Sequence, residues 1–319
     1  MFRFSALLSS LLMLCAAQAN AQHRLITNGN GVLAIVDAQG AVEWEMPWGG
    51  VHDLHVLPGG TIMVQSGSSK IVEIDPKTKQ VIWEYDSLTK NGNAGKAVEV
   101  HAFQPLDGGK SIMIAESGTA RIIEVNRKGE LLSTTKMKVD NPHPHTDTRL
   151  VRKIAKDRYL VCHEVDGAIR EYEQGTGRLV WEYKIPLFGK EKRGGNDLNA
   201  YGNKCFGALR LKNGNTLIAT GNGHSVLEVT PEKTVVWRID QDDLKRDDGT
   251  QLRLGWVTTL EVLENGNYVI GNCHAGAEQP LIIEIDPKTK KVIWTFDQFE
   301  KFGNSVPNSQ LLDVTNAMR

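Results

Sequence analysis

The chain has 319 residues, 37 basic and 38 acidic side chains, a formal net charge of −1 and 40% hydrophobic residues. That balance supplies no electrostatic footprint for nucleic acid or anionic lipid, and both are excluded as expected partners. The length would ordinarily suggest two domains, but closed all-β folds reach this size as one unit.

Residues 1–21 read as a signal peptide. One positive charge precedes an apolar run over residues 5–17 that is too short to span a bilayer, and Ala19, Asn20 and Ala21 form a small-x-small cleavage site. The expected product is a single domain over residues 22–319, beginning near Gln22, periplasmic or secreted and without membrane insertion. Cys15 leaves with the signal, and the bulky Leu14 before it argues against lipid attachment. Cys162, Cys205 and Cys273 remain; an odd number cannot all pair within one chain, so at least one stays free, and Cys205 with Cys273 could either bridge or add thiolate ligands at the rim.

From residue 33 onward one phrase recurs: an alternating apolar strand, a polar turn, and an apolar strand that usually ends in tryptophan. It occupies residues 33–44, 71–83, 122–132, 169–181, 226–237 and 282–294, and the second and sixth copies are nearly identical. Only residues 122–132 lack the tryptophan. Upstream of most hairpins lies another pair of short strands joined by tight turns such as Pro58-Gly59-Gly60 and Asn213-Gly214-Asn215. Four strands per repeat predict an all-β, six-bladed β-propeller with antiparallel blades. Residues 310–314 are expected to close the ring by joining the blade begun near Leu25, which removes two exposed sheet edges.

Aligned on the apolar residue that ends each innermost strand (Leu57, Leu106, Leu150, Leu211, Leu263 and Val314), the positions five residues earlier are His52, His101, His145, Phe206, Thr258 and Ser309. They are expected to ring one channel mouth. Loops carrying His163, His224, His274, Asn222, Asn272 and Cys273 should open on that face. Imidazoles suit a divalent metal, zinc or similar, or proton exchange near neutral pH. His52, His101, His145 and His163 are the expected metal ligands; His52, His101, His145 and Arg149 are the catalytic candidates. His55 and His143 read as structural. Trp256 should hang over the mouth, where its face could stack on a sugar or arene. His224, His274, Asn272 and Arg193 complete the expected ligand-binding set, Arg193 from a basic, flexible run in the long connection 184–204. The connections 86–100 and 239–256 are also long, and all three could roof the channel.

The phrase Glu-Ile-Asp-Pro-x-Thr-x-x-Val-Ile-Trp, at 73–83 and 284–294, together with Leu-x-Asn-Gly-Asn-Thr-Leu at 211–217, resembles the repeats of PQQ-like and arylsulfotransferase-type bacterial propellers over nearly the whole mature chain. The resemblance implies a propeller. It implies no bound PQQ, because the eight blades and adjacent cysteine pair of quinoprotein dehydrogenases are missing. It leaves three expectations open: a metal- or ligand-binding module for a small organic or sugar molecule, a histidine-dependent group-transfer enzyme of the arylsulfotransferase type, or a non-catalytic scaffold with a protein partner.

Overall fold

The computed structural model describes residues 23–319, which form six four-stranded antiparallel sheets arranged as propeller blades; the expected signal peptide lies outside the described residues. Blade one runs from Ser309–Leu311 at the channel through Leu25–Gly29 and Val32–Val36 to Val42–Pro47. Blade two comprises Leu54–Val56, Ile62–Ser66, Lys70–Asp75 and Gln80–Asp86, and blade three Glu99–Leu106, Ser111–Ser117, Arg121–Asn126 and Leu131–Lys136. Blades four and five begin with Val151–Ala155 and Gly207–Arg210, and blade six begins with Trp256–Val262 and ends with Lys291–Phe296. The connection between blades five and six adds a small hairpin, Leu244–Lys245 with Gln251–Leu252.

The recurrent sequence phrase has a local physical cause. In the Asp-Pro turns, Asp75 and Asp286 each accept a hydrogen bond from the amide two residues on, at 2.9 Å. Lys79 and Lys290 then take positive φ of 58° and 59°, which turns the chain into the outer strand. Four outer-strand tryptophans tie their blades to the next: the indole N–H groups of Trp44, Trp83, Trp181 and Trp237 donate to the carbonyls of Pro76, Arg127, Pro231 and Pro287, each at 2.8 Å. The alternating apolar residues fill six clusters, one at each blade interface; Leu33, Ile62 and Val64, for example, join blades one and two. Burying each such side chain contributes about 1.5–3 kcal/mol.

Ring closure occurs where expected, though through a shorter strand, Ser309–Leu311, whose residues pair with Thr27, Ile26 and Leu25. Ending the chain at Gly303 should expose the edge of Leu25–Gly29 and uncover the fully buried Leu25. Expression of that truncation is expected to give insoluble protein; recovery of a soluble monomer would contradict the closure.

The innermost register corrects the sequence alignment. In every blade the outer strand carries a bulge against the third, as opposite Glu73 and Ile74 or Glu171 and Tyr172. Traced across the ladders from these bulges, the equivalent innermost residues are Val56, Pro105, Lys153, Arg210, Val262 and Leu311. Four positions upstream stand His52, His101, Arg149, Phe206, Thr258 and Pro307. Leu150 precedes its strand rather than ending it, so Arg149, not His145, holds the position in blade four. In blade one the residue is Pro307, not Ser309, because Val314 lies beyond the strand.

Below this ring the channel is plugged by a polar network. Arg152 grips Asp53 through two hydrogen bonds of 2.8 and 3.0 Å, and Asn308 donates to the same carboxylate at 3.1 Å. Arg152 holds the Asp53 carboxyl far below the usual range although burial opposes it. His55 faces Phe103 O at 2.8 Å and takes a hydrogen bond from Arg319 at 3.1 Å. That fixes its proton on Nε2, and burial lowers its pKa to about 4, consistent with a structural role.

Candidate metal centre at the channel mouth

His101 is the bulged residue of its strand, the ladder shifting between Val100 and Ala102. A bulge re-aims a side chain, here toward the channel. His145 arrives from a different direction, on a tight turn in which the amides of Thr146 and Asp147 donate to the His143 carbonyl at 3.1 and 2.9 Å. The three histidines nevertheless converge: the His52 ring lies 4.5 Å from that of His101 and 5.9 Å from that of His145, with 5.2 Å between the latter two.

Glu99 joins them, two residues before His101 on the same strand. Its Oε2 is 2.9 Å from His101 Nε2 and 2.8 Å from His145 Nδ1, and the three ligand atoms all lie within 4.8 Å of one another. Among the described residues this is the group of histidine and carboxylate side chains that could hold a metal ion. The sequence reading missed Glu99 because it weighed histidines alone, although Glu99 stands only two residues before His101.

The protonation of this group carries the chemistry. His101 Nδ1 lies 3.0 Å from the Thr148 carbonyl, which can only accept, so the ring proton of a neutral His101 belongs on Nδ1. Nε2 then turns a lone pair toward the Glu99 carboxylate. Burial, with Arg149 assisting, pushes the His101 pKa below its ordinary value, disfavouring a second proton. The imidazoles of His101 and then His145 beside it draw the Glu99 carboxyl down to about 2, burial opposing, so the carboxylate is ionised. Two acceptors 2.9 Å apart call for a cation between them, and separations near 3 Å match neighbouring ligands on a metal with bonds of about 2.1 Å. His52 is held neutral by burial first and then by His101, Arg149 and His145, and its Nδ1 has no hydrogen-bond partner.

A cavity of about 220 Å³ adjoins the group, lined by His52, His145, Arg149, Trp256 and His274, with Asn196 from the long 184–204 connection. Other expected site residues stand elsewhere or are otherwise engaged. The two ring nitrogens of the fully buried His163 face Asp147 O at 2.8 Å and Tyr172 Oη at 3.0 Å. Those of His224 face the carbonyls of Gly255 and Ala200 at 2.7 and 2.5 Å. Asn272 spends its amide on Arg253, Pro280 and Gly255. Arg193 is exposed, and its backbone pairs with Tyr201. Cys205 Sγ donates to His163 O at 3.2 Å within the interface of blades four and five, whereas Cys273 faces Asn304 and Ser305; both thiols are free. Replacing His163 by alanine should cost about 1–3 kcal/mol by stranding its buried partners, with no change in metal affinity. Thermal unfolding of metal-free protein beside a zinc titration checks this; unchanged stability with weakened zinc binding would reverse the assignment.

Solved structures similar to this chain include a protein of unknown function from Bacteroides caccae, 23% identical, covering 91% of this chain and 98% of that one with a TM-score of 0.72. The WD40 propeller domain of Doa1 is 13% identical over 78% of this chain and 72% of its own, with a TM-score of 0.54. Virginiamycin B lyase from Staphylococcus aureus is 12% identical over 93% and 87%, with a TM-score of 0.51. At such identities the likeness is one of fold. No curated protein matches the chain. The family model PQQ_2, described as outer membrane protein assembly factor BamB, matches residues 29–296. The six blades with their repeated hairpins agree with that match, and the chain belongs to this family of PQQ-like β-propeller repeat proteins.

Proposed function

We propose that this protein is an exported propeller whose channel mouth holds one divalent metal ion, zinc or similar, on Glu99, His101 and His145, and that it binds a small organic molecule beside that ion. The observation that carries the reading is the pair of facing acceptors, His101 Nε2 and Glu99 Oε2, 2.9 Å apart in a site that disfavours the imidazolium. Three protein ligands would leave coordination positions open, as zinc sites that act on bound molecules do. His52, 4.5 Å from the His101 ring and held neutral, is placed to serve as a further ligand or as a base toward a bound molecule. Elemental analysis of protein purified without a histidine tag tests the proposal. About one equivalent of divalent metal, removable by chelator and restored by titration, is expected. Metal-free protein that takes up no zinc at micromolar concentrations would overturn it.

A second reading, a non-catalytic scaffold for protein partners, is supported by the family model, whose description names an assembly factor. It predicts protein without stoichiometric metal, so the same measurement separates the two.

A further inference from the structure

The six equivalent mouth positions are not equally satisfied. His52 Nδ1, Arg149 Nη1 and Thr258 Oγ1 are buried and have no hydrogen-bond partner, and all three residues line the 220 Å³ cavity. Three orphaned polar atoms at three equivalent positions of one ring are not an accident of packing, because buried donors and acceptors are ordinarily paired. Arg149 is only 6% exposed, and its Nε is committed to Glu164, which also takes Lys204 Nζ at 3.0 Å. Two cations therefore share one carboxylate, and this wall of the cavity carries a surplus positive charge. Lys204 lies 5.2 Å over the ring of Trp256, and the Trp256 and Phe206 side chains add apolar surface to the same cavity.

We propose that this cavity binds a small monocarboxylate with an aromatic or compact apolar body. Its carboxylate accepts from Arg149 Nη1 and the Thr258 hydroxyl, and its body lies against Phe206 and Trp256. The single surplus charge favours a monoanion over a phosphate dianion. The planar guanidinium edge left free by Glu164 suits a planar carboxylate. A space of this size, below that of drug-sized pockets, limits the ligand to something near the size of benzoate. The inference rests on the reading of this mouth as the functional site, but the residues it assigns to the carboxylate, Arg149 and Thr258, are not metal ligands.

Calorimetric titration of the full chain, stripped of metal by chelator, with benzoate and separately with benzamide tests it. Benzoate should bind, and benzamide, the same shape without the charge, should bind at least about tenfold more weakly. Arg149→Lys keeps a cation for Glu164 but loses the free Nη1, and should weaken benzoate by about tenfold to a hundredfold. Thr258→Val should weaken it by a smaller factor. Equal affinity for benzoate and benzamide, benzoate binding unaltered in both variants, or no benzoate binding at millimolar concentration would each overturn the proposal. Should Arg149→Lys fail to fold, Thr258→Val and the benzamide comparison decide. These titrations are made without metal, so their outcome is independent of whether zinc binds, and a failure of the metal centre would not be mistaken for a failure of the anion site.

Discussion

Replacing Glu261 by glutamine should raise folding stability at pH 8 by about 3 kcal/mol and leave it nearly unchanged at pH 4. Glu261 is 1% exposed, on the innermost strand of blade six; one oxygen accepts from the Leu311 amide at 3.0 Å and the other has no partner. Burial raises its pKa from 4.5 to about 7; Arg319, the Leu311 amide and His23 oppose the rise, and Asp313 adds slightly to it. A carboxyl whose folded value exceeds its unfolded value contributes its full stability below about pH 4.5. That contribution is lost as the pH climbs through about 7, when the buried group must ionise. Glutamine can accept from Leu311 as the protonated acid does, without ever ionising. The two proteins should therefore diverge in thermal midpoint between pH 5 and pH 8, by several degrees at the upper end. The histidines that titrate over this range are common to both chains, so the difference between them isolates Glu261. Parallel stability curves over that range would show that Glu261 is ionised in the folded protein at little cost.

The second large effect is expected at the mouth. His101→Ala should lower zinc affinity by more than about a hundredfold, since loss of a group that merely orients a metal ligand already costs ten- to a hundredfold. Glu99→Gln should act comparably, because it removes the anionic donor while keeping shape and polarity. Thermal stability of the metal-free protein should fall little for Glu99→Gln, whose side chain is about a quarter exposed. In wild-type protein, by contrast, saturating zinc should raise the melting temperature, because a ligand that binds only the folded state stabilises it. Retained zinc affinity in both variants would remove these residues from the site.

The fold was legible in the sequence because a propeller repeats its local physics. The Asp-Pro turn with its positive-φ lysine recurs in blades two and six, the tryptophan that reaches the next blade's turn carbonyl in four blades, and the apolar alternation in all six hairpins. The closing strand was legible from what the amino-terminal blade lacked. The site was legible in part. His52 and His101 follow the repeat, and the structure brings His145 beside them, but through an irregular turn rather than through equivalence. Leu150, which ends no strand, misled the alignment there, since apolar identity alone does not fix register. Glu99 was missed because a carboxylate on a strand carries no periodic signal of its own. His163 and His224 sit on the expected face, yet neighbouring carbonyls and Tyr172 already occupy their nitrogens, and no sequence pattern reports that.

Anomalous diffraction from crystals of tag-free protein soaked with zinc, recorded on both sides of the zinc absorption edge, addresses the metal centre most directly. A single strong peak about 2.0–2.2 Å from Glu99 Oε2, His101 Nε2 and His145 Nδ1 is expected. A peak elsewhere on the chain, or none at the mouth with His101 Nε2 simply donating a proton to Glu99, would contradict it.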